Sequence, residues 1–135
     1  MSSIRVLIVD DFELWRLQIC RLLKVKSTLI VIGEAADGLE AVQKANDLKP
    51  DLIVLDIGLP KLNGIEAAKR ILKLSPYSKI IFLSQNQDPA IAQAALDTGA
   101  LGYVHKASAD AELVNAIDVV LRRGQYVSSC IKSGD

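Results

Sequence analysis

A chain of 135 residues, half of them apolar, has room for one domain with one sizeable core and not for two comfortable ones. Sixteen Lys and Arg balance sixteen Asp and Glu, so no overall field favours nucleic acid or an anionic membrane surface, and any charge logic must be local. No apolar run approaches the roughly 18 residues of a membrane span, and the N-terminus lacks a signal-peptide layout, so a cytoplasmic protein with no membrane partner is expected.

Ile4 to Val9 (IRVLIV) is a short apolar run rich in β-branched residues, which predicts a strand, and it ends in acid at Asp10 and Asp11. From Phe12 the period changes. Trp15, Ile19, Leu22 and Leu23 recur at helical spacing, which places Trp15 in the core and Cys20 on or near the buried side. Asp10 or Asp11 is positioned to cap this helix. Cys20 and Cys130 fit no metal spacing and read as reduced thiols, and a single His makes a His-based metal site or Ser-His-Asp triad a poor fit. Leu29 to Ala36 reads as the second strand, weakened by Gly33 as suits a place near a sheet edge. Asp37-Gly-Leu-Glu40 matches a capping box and opens a helix with Val42, Ala45 and Leu48 on its inner face.

The stretch Pro50 to Pro60 (PDLIVLDIGLP) organises the rest. Leu52 to Leu55 is an unbroken apolar run, the pattern of a parallel strand covered on both faces, and Asp56 closes it. A carboxylate at the end of a buried strand must emerge into water or meet a cation, and Gly58 and Pro60 put it on a loop. Asn63-Gly-Ile-Glu66 repeats the capping pattern and starts a helix that stops at Ser75-Pro76. Lys79 to Ser84 is a fourth buried-strand run, ending in a hydroxyl, and Asp88-Pro89 opens a helix closed by Gly99. Leu101 to His105 is a fifth, shorter strand interrupted by Gly102, as expected of a protected edge, and it ends at Lys106. Leu113, Val114, Ile117, Val120 and Leu121 form a dense helical stripe that Gly124 terminates. The remaining 125–135 are polar and irregular and read as the start of a linker, which leaves 1–124 as the domain.

Five strands alternating with five helices imply an α/β, doubly wound parallel sheet, with 2-1-3-4-5 as the expected order. In that order the ends of strands 1 and 3 flank the switch point, so Asp10, Asp11 and Asp56 converge there. Two carboxylates about 4 Å apart repel by roughly 4 kcal/mol at an effective dielectric near 20, so the cluster calls for a cation. All-oxygen ligands in a shallow site suit Mg²⁺. A metal held this way serves phosphoryl chemistry, with Asp56 as the acceptor and Ser84 and Lys106 supplying a hydroxyl and a cation for the phosphoryl oxygens.

These residues resemble the receiver domain of two-component response regulators over residues 4 to about 123, a flavodoxin-like fold. The family's acidic pair corresponds to Asp10 and Asp11, its phosphoacceptor to Asp56, its hydroxyl switch to Ser84, its aromatic switch to Tyr103 and its lysine to Lys106, while Pro60 and Gly64 fall where that family has them. The resemblance implies Mg²⁺ held by Asp11, Asp56 and the carbonyl of Gly58, with Asp10 acting partly through water. It also implies a sensor histidine kinase as donor and slow self-dephosphorylation rather than multiple-turnover catalysis. Phosphorylation would draw Ser84 toward the phosphoryl group and turn Tyr103 inward, remodelling a face of the fourth helix, fifth strand and fifth helix that is also a possible homodimer face. The ending RRGQYVSSCIKSGD resembles linkers that precede a helix-turn-helix module, so transcriptional control through an output domain absent from this chain is the expected role.

Each residue also has a plainer reading. Asp-Asp after a strand is by itself often a cap, Ser84 a turn residue, Lys106 a solvated charge, and Tyr103 a sheet-edge side chain with its hydroxyl in water. Gln85 stands where the family usually has a small residue. It leaves open a receiver that kept the fold and lost phosphorylation, and a stand-alone phosphorelay receiver is a further alternative. An Asp-nucleophile phosphatase would need a second acid two residues after Asp56, where Gly58 stands, and a flavodoxin-like carrier would need a neutral phosphate loop where Asp10 and Asp11 lie.

Overall fold

The computed structural model describes residues 3–131. Runs of β-branched and aliphatic residues form the parallel strands β1 (Ile4–Val9), β2 (Leu29–Ala35), β3 (Leu52–Leu55), β4 (Lys79–Ser84) and β5 (Gly102–His105). The intervening amphipathic segments form α1 (Glu13–Leu23), α2 (Gly38–Leu48), α3 (Gly64–Leu74), α4 (Pro89–Leu96) and α5 (Ala109–Leu121). A sixth strand, β6 (Tyr126–Val127), pairs in parallel with β5, so the order is β2-β1-β3-β4-β5-β6 and the expected five-stranded sheet is corrected to six. β6 lies in the stretch assigned to a linker from its polar composition, of which 132–135 fall outside the described residues.

Because β5 is flanked on both sides, it is no edge, and Gly102 has another purpose there. A Cβ at Gly102 would sit 3.0 Å from Ile81 Cγ1 and 3.3 Å from Val120 Cγ2, so glycine lets β4 and α5 close on the strand. β2 is an edge as expected, with a register irregularity between Val6 and Leu7 of its neighbour.

The strand alternation splits the core in two. Leu7, Val9, Ile53, Leu55, Ile80, Phe82 and Tyr103 face α2, α3 and α4, whereas Val6, Ile8, Leu52, Val54, Ile81, Leu83 and Val104 face α1 and α5. Helix starts follow the caps. Asp37 accepts from the Glu40 N–H at 2.8 Å while Glu40 reaches back to the Ala36 N–H; Asn63 accepts from the Glu66 N–H, and Asp88 from the Ala90 N–H. α1 departs from expectation: its N-cap is Phe12, without a side-chain cap. Asp10 Oδ1 instead accepts the Phe12 N–H just before the helix, and neither acid caps it. α5 ends with Arg123 in the left-handed region (φ 66°), the Gly124 N–H bonded to Val119 O and the Arg123 N–H to Val120 O, a Schellman closure.

Candidate functional site

Register builds the site. Val9 pairs with Leu55, so the residues that follow, Asp10 and Asp56, leave the sheet side by side, and the Asp56 N–H donates to Val9 O at 3.0 Å. Lys106 begins a 3-10 turn after β5 and reaches back past the end of β4, with Nζ 2.7 Å from Asp10 Oδ2 and 3.2 Å from Asp56 Oδ2. All three side chains are buried, whereas Asp11 is exposed. Burial pushes the Asp56 carboxyl above its ordinary range; Lys106 opposes that shift and Asp10 reinforces it.

One oxygen from each of Asp10, Asp11 and Asp56 lies within 4.8 Å of the others. Three carboxylates against one ammonium leave two formal negative charges on a cleft of about 650 Å³ that opens to water, a balance and a donor set that fit a hard divalent cation. The donors are not equivalent. Both oxygens of Asp10 are engaged, one by Phe12 N–H and one by Lys106, which suits it to act through water, while Asp11 stands at the exposed rim. Gly58 lines the same cleft, and a Cβ there would meet nothing within 4 Å, so sterics do not require glycine at this position.

Gly64 is constrained. A Cβ on it would fall 2.0 Å from the Asp56 carbonyl oxygen and 2.7 Å from Ile57 Cα, so only glycine lets α3 start directly against the Asp56 loop. The Gly64 N–H then donates to Ile57 O at 2.7 Å, which ties that loop to the helix.

Ser84 is buried at the end of β4, lines the cleft, and accepts the Asn86 N–H at 3.1 Å. Tyr103 is fully buried and its hydroxyl donates to Asn86 O at 2.8 Å, so it is not a sheet-edge tyrosine with its hydroxyl in water. Burial pushes its phenol pKa up, a nearby Ser84 hydroxyl partly opposing. The ring sits 6.4 Å from that of Phe82, facing inward. Ser84 and Tyr103 thus meet on one residue, Asn86. Gln85 is exposed, and its main-chain carbonyl lies 3.1 Å from His105 Nε2.

Trp15 escaped the sequence-based assignment. It packs only at the margin of the core, and its ring lies under Lys106 Nζ, 4.9 Å from the centroid. Trp15 stands in the first turn of α1, directly after the acidic pair, and lines the same cleft as Asp10 and Asp11.

The sequence model of the response regulator receiver domain matches residues 6–118. Response regulator GacA of Pseudomonas viridiflava is 37% identical over 125 residues, which cover 93% of this chain and 58% of GacA. The chain therefore spans little more than half the length of that relative. Chemotaxis protein CheY of Thermotoga maritima is 39% identical over 116 residues, covering 86% of this chain and 96% of CheY. Among solved structures, a LuxR-family two-component response regulator from Aurantimonas sp. SI85-9A1 superposes with a TM-score of 0.91 at 36% identity, covering 96% of this chain and 93% of that one.

Proposed function

This chain belongs to the response regulator receiver family, and on that premise we propose that it is a Mg²⁺-dependent phosphoryl acceptor modified on Asp56 by a sensor histidine kinase. The observation that carries the reading is the bracket of Lys106 between Asp10 and Asp56, with Asp11 at the rim. An Asp56 oxygen attacks phosphorus, the bond from phosphorus to the donor's leaving atom breaks, and an acyl phosphate forms. Mg²⁺, when bound by Asp11, Asp56 and the Gly58 carbonyl, supplies charge neutralisation for the phosphoryl oxygens. Lys106 and the Ser84 hydroxyl complete their coordination. The transfer is stoichiometric, so the chain acts as a switch and not as a turnover enzyme.

Phe12, which lines the cleft, and Leu14 and Leu17 of α1 each expose more than half of their surface, which supports a protein donor approaching over α1. A donor of this kind, charged from ATP, implies a cytoplasmic protein; among the described residues no helix is long and apolar enough to cross a membrane. The likeness to a LuxR-family regulator supports a DNA-binding output module and transcriptional control in the parent protein. Ser84 and Tyr103 act as the switch pair through Asn86, and a homodimer through α4, β5 and α5 would include the β6 segment in its face.

The test is incubation with Mg²⁺ and acetyl phosphate, read by intact mass. Uptake of one phosphoryl group, lost in Asp56→Asn and on chelation of Mg²⁺, is expected. No uptake, or uptake that survives Asp56→Asn, refutes the reading and leaves a phosphorylation-independent interaction module.

A further inference from the structure

Lys106 is 7% exposed, and two of its three N–H groups point to carboxylates, Asp10 at 2.7 Å and Asp56 at 3.2 Å. The Trp15 ring lies beside it, 4.9 Å from Nζ to the centroid, and lines the same cleft. A desolvated ammonium over an indole face is the setting in which cation–π attraction is strongest. Phosphoryl transfer imposes a particular demand on this ammonium. As Asp56 becomes an acyl phosphate, Lys106 must shift its contact from an Asp56 oxygen to a phosphoryl oxygen without being drawn out of the cleft. A third carboxylate in place of Trp15 would compete with the phosphoryl oxygens, and an aliphatic side chain would exert no hold. The indole face attracts the cation and offers no acceptor atom that competes for its protons.

We propose that Trp15 is a positioning residue for phosphoryl transfer, acting through Lys106: its ring holds the ammonium at the mouth of the cleft while Asp56 changes charge. The proposal rests on the receiver reading above. Phosphorylation of the wild type, Trp15→Phe and Trp15→Leu by acetyl phosphate and Mg²⁺ is followed by intact mass, with urea unfolding to establish that each variant is folded. The rate for Trp15→Leu is expected to fall about five- to tenfold, and that for Trp15→Phe to stay within about twofold of the wild type, since phenylalanine keeps a π face. A Trp15→Leu rate equal to the wild type, or a Trp15→Phe rate as low as that of Trp15→Leu, overturns the positioning role. A wild type that takes up no phosphoryl group refutes the receiver reading instead. A second readout is independent of phosphorylation and of metal. The chain has one tryptophan, so its emission reports the surroundings of this ring, and Lys106→Met is expected to change its intensity. An unchanged spectrum overturns the contact itself.

Discussion

Asp56→Asn should make the protein more stable while abolishing its chemistry. At an effective dielectric near 20, the Asp56 charge gains about 5 kcal/mol from Lys106 at 3.2 Å. It loses at least about 3.5 kcal/mol to each of Asp10 and Asp11 within 4.8 Å. The balance is repulsive by about 2 kcal/mol, less whatever solvent screening removes from the exposed Asp11, and burial of the charge adds to it. Asparagine is close to isosteric and keeps an acceptor for the Ile57 N–H, now held by Asp56 Oδ1 at 2.8 Å. Urea unfolding in the presence of a chelator should therefore show Asp56→Asn more stable by about 1–2 kcal/mol, with an unchanged m-value. Saturating Mg²⁺ should narrow the gap, because a cation bound only by the folded state stabilises the wild type by mass action. An asparagine variant less stable than the wild type without Mg²⁺ would mean that the Lys106 attraction dominates, and the account of an over-charged cleft would be wrong.

Other outcomes follow from single contacts. Gly64→Ala places a Cβ 2.0 Å from the Asp56 carbonyl, a backbone clash that should cost about 2 kcal/mol or more in urea unfolding and slow phosphorylation by displacing the loop. Gly58→Ala, with open space at that position, should leave stability within about 0.5 kcal/mol. Ser128→Ala removes both the hydroxyl that donates to Glu112 and the acceptor of the His105 N–H, and should cost about 1–3 kcal/mol, with faster amide exchange in β6. The carboxyls of Asp37 and Glu40 are held below their ordinary values by backbone N–H donors, so their stabilisation is complete above pH 4.5 and is lost as pH falls through the lowered folded values. Unfolding measured at pH 5 and pH 3 should show a smaller acid loss in Asp37→Asn, and an identical loss would rule out the cap as its source.

Strands and helices were legible where local chemistry decides. The apolar runs of β1, β3 and β4 and the caps Asp37, Asn63 and Asp88 each declare an element within a few residues, and the ordering of parallel strands then forces Asp10, Asp56 and Lys106 together. β6 was not legible because two residues carry no periodicity. Its pairing depends on partners far back in the chain: Tyr126 donates to Glu112 at 2.9 Å, and the Ser128 N–H to Tyr103 O at 2.9 Å. Covering β5 then reversed the meaning of Gly102, from an edge-weakening residue to one that allows close packing. The placement of Trp15 was incomplete for a related reason. Helical spacing distinguishes an inner from an outer face, and it does not register that the inner face of the first turn looks onto the cleft as well as onto the margin of the core. Asp10 reads as a cap from its place before a helix, and only the position of Lys106 shows where its second oxygen is used.

Ile131 is buried, in a groove it shares with Pro89, Ala92 and Leu96 of α4, not at the end of α5. A displacement of α4 would therefore be felt at Ile131 directly, while Tyr126 and Ser128 keep the stretch before it tied to β5 and to Glu112 of α5. A rigid extension grafted after residue 131 would sense α4, β5 and α5 together, whereas one grafted directly after Arg123 would sense α5 alone.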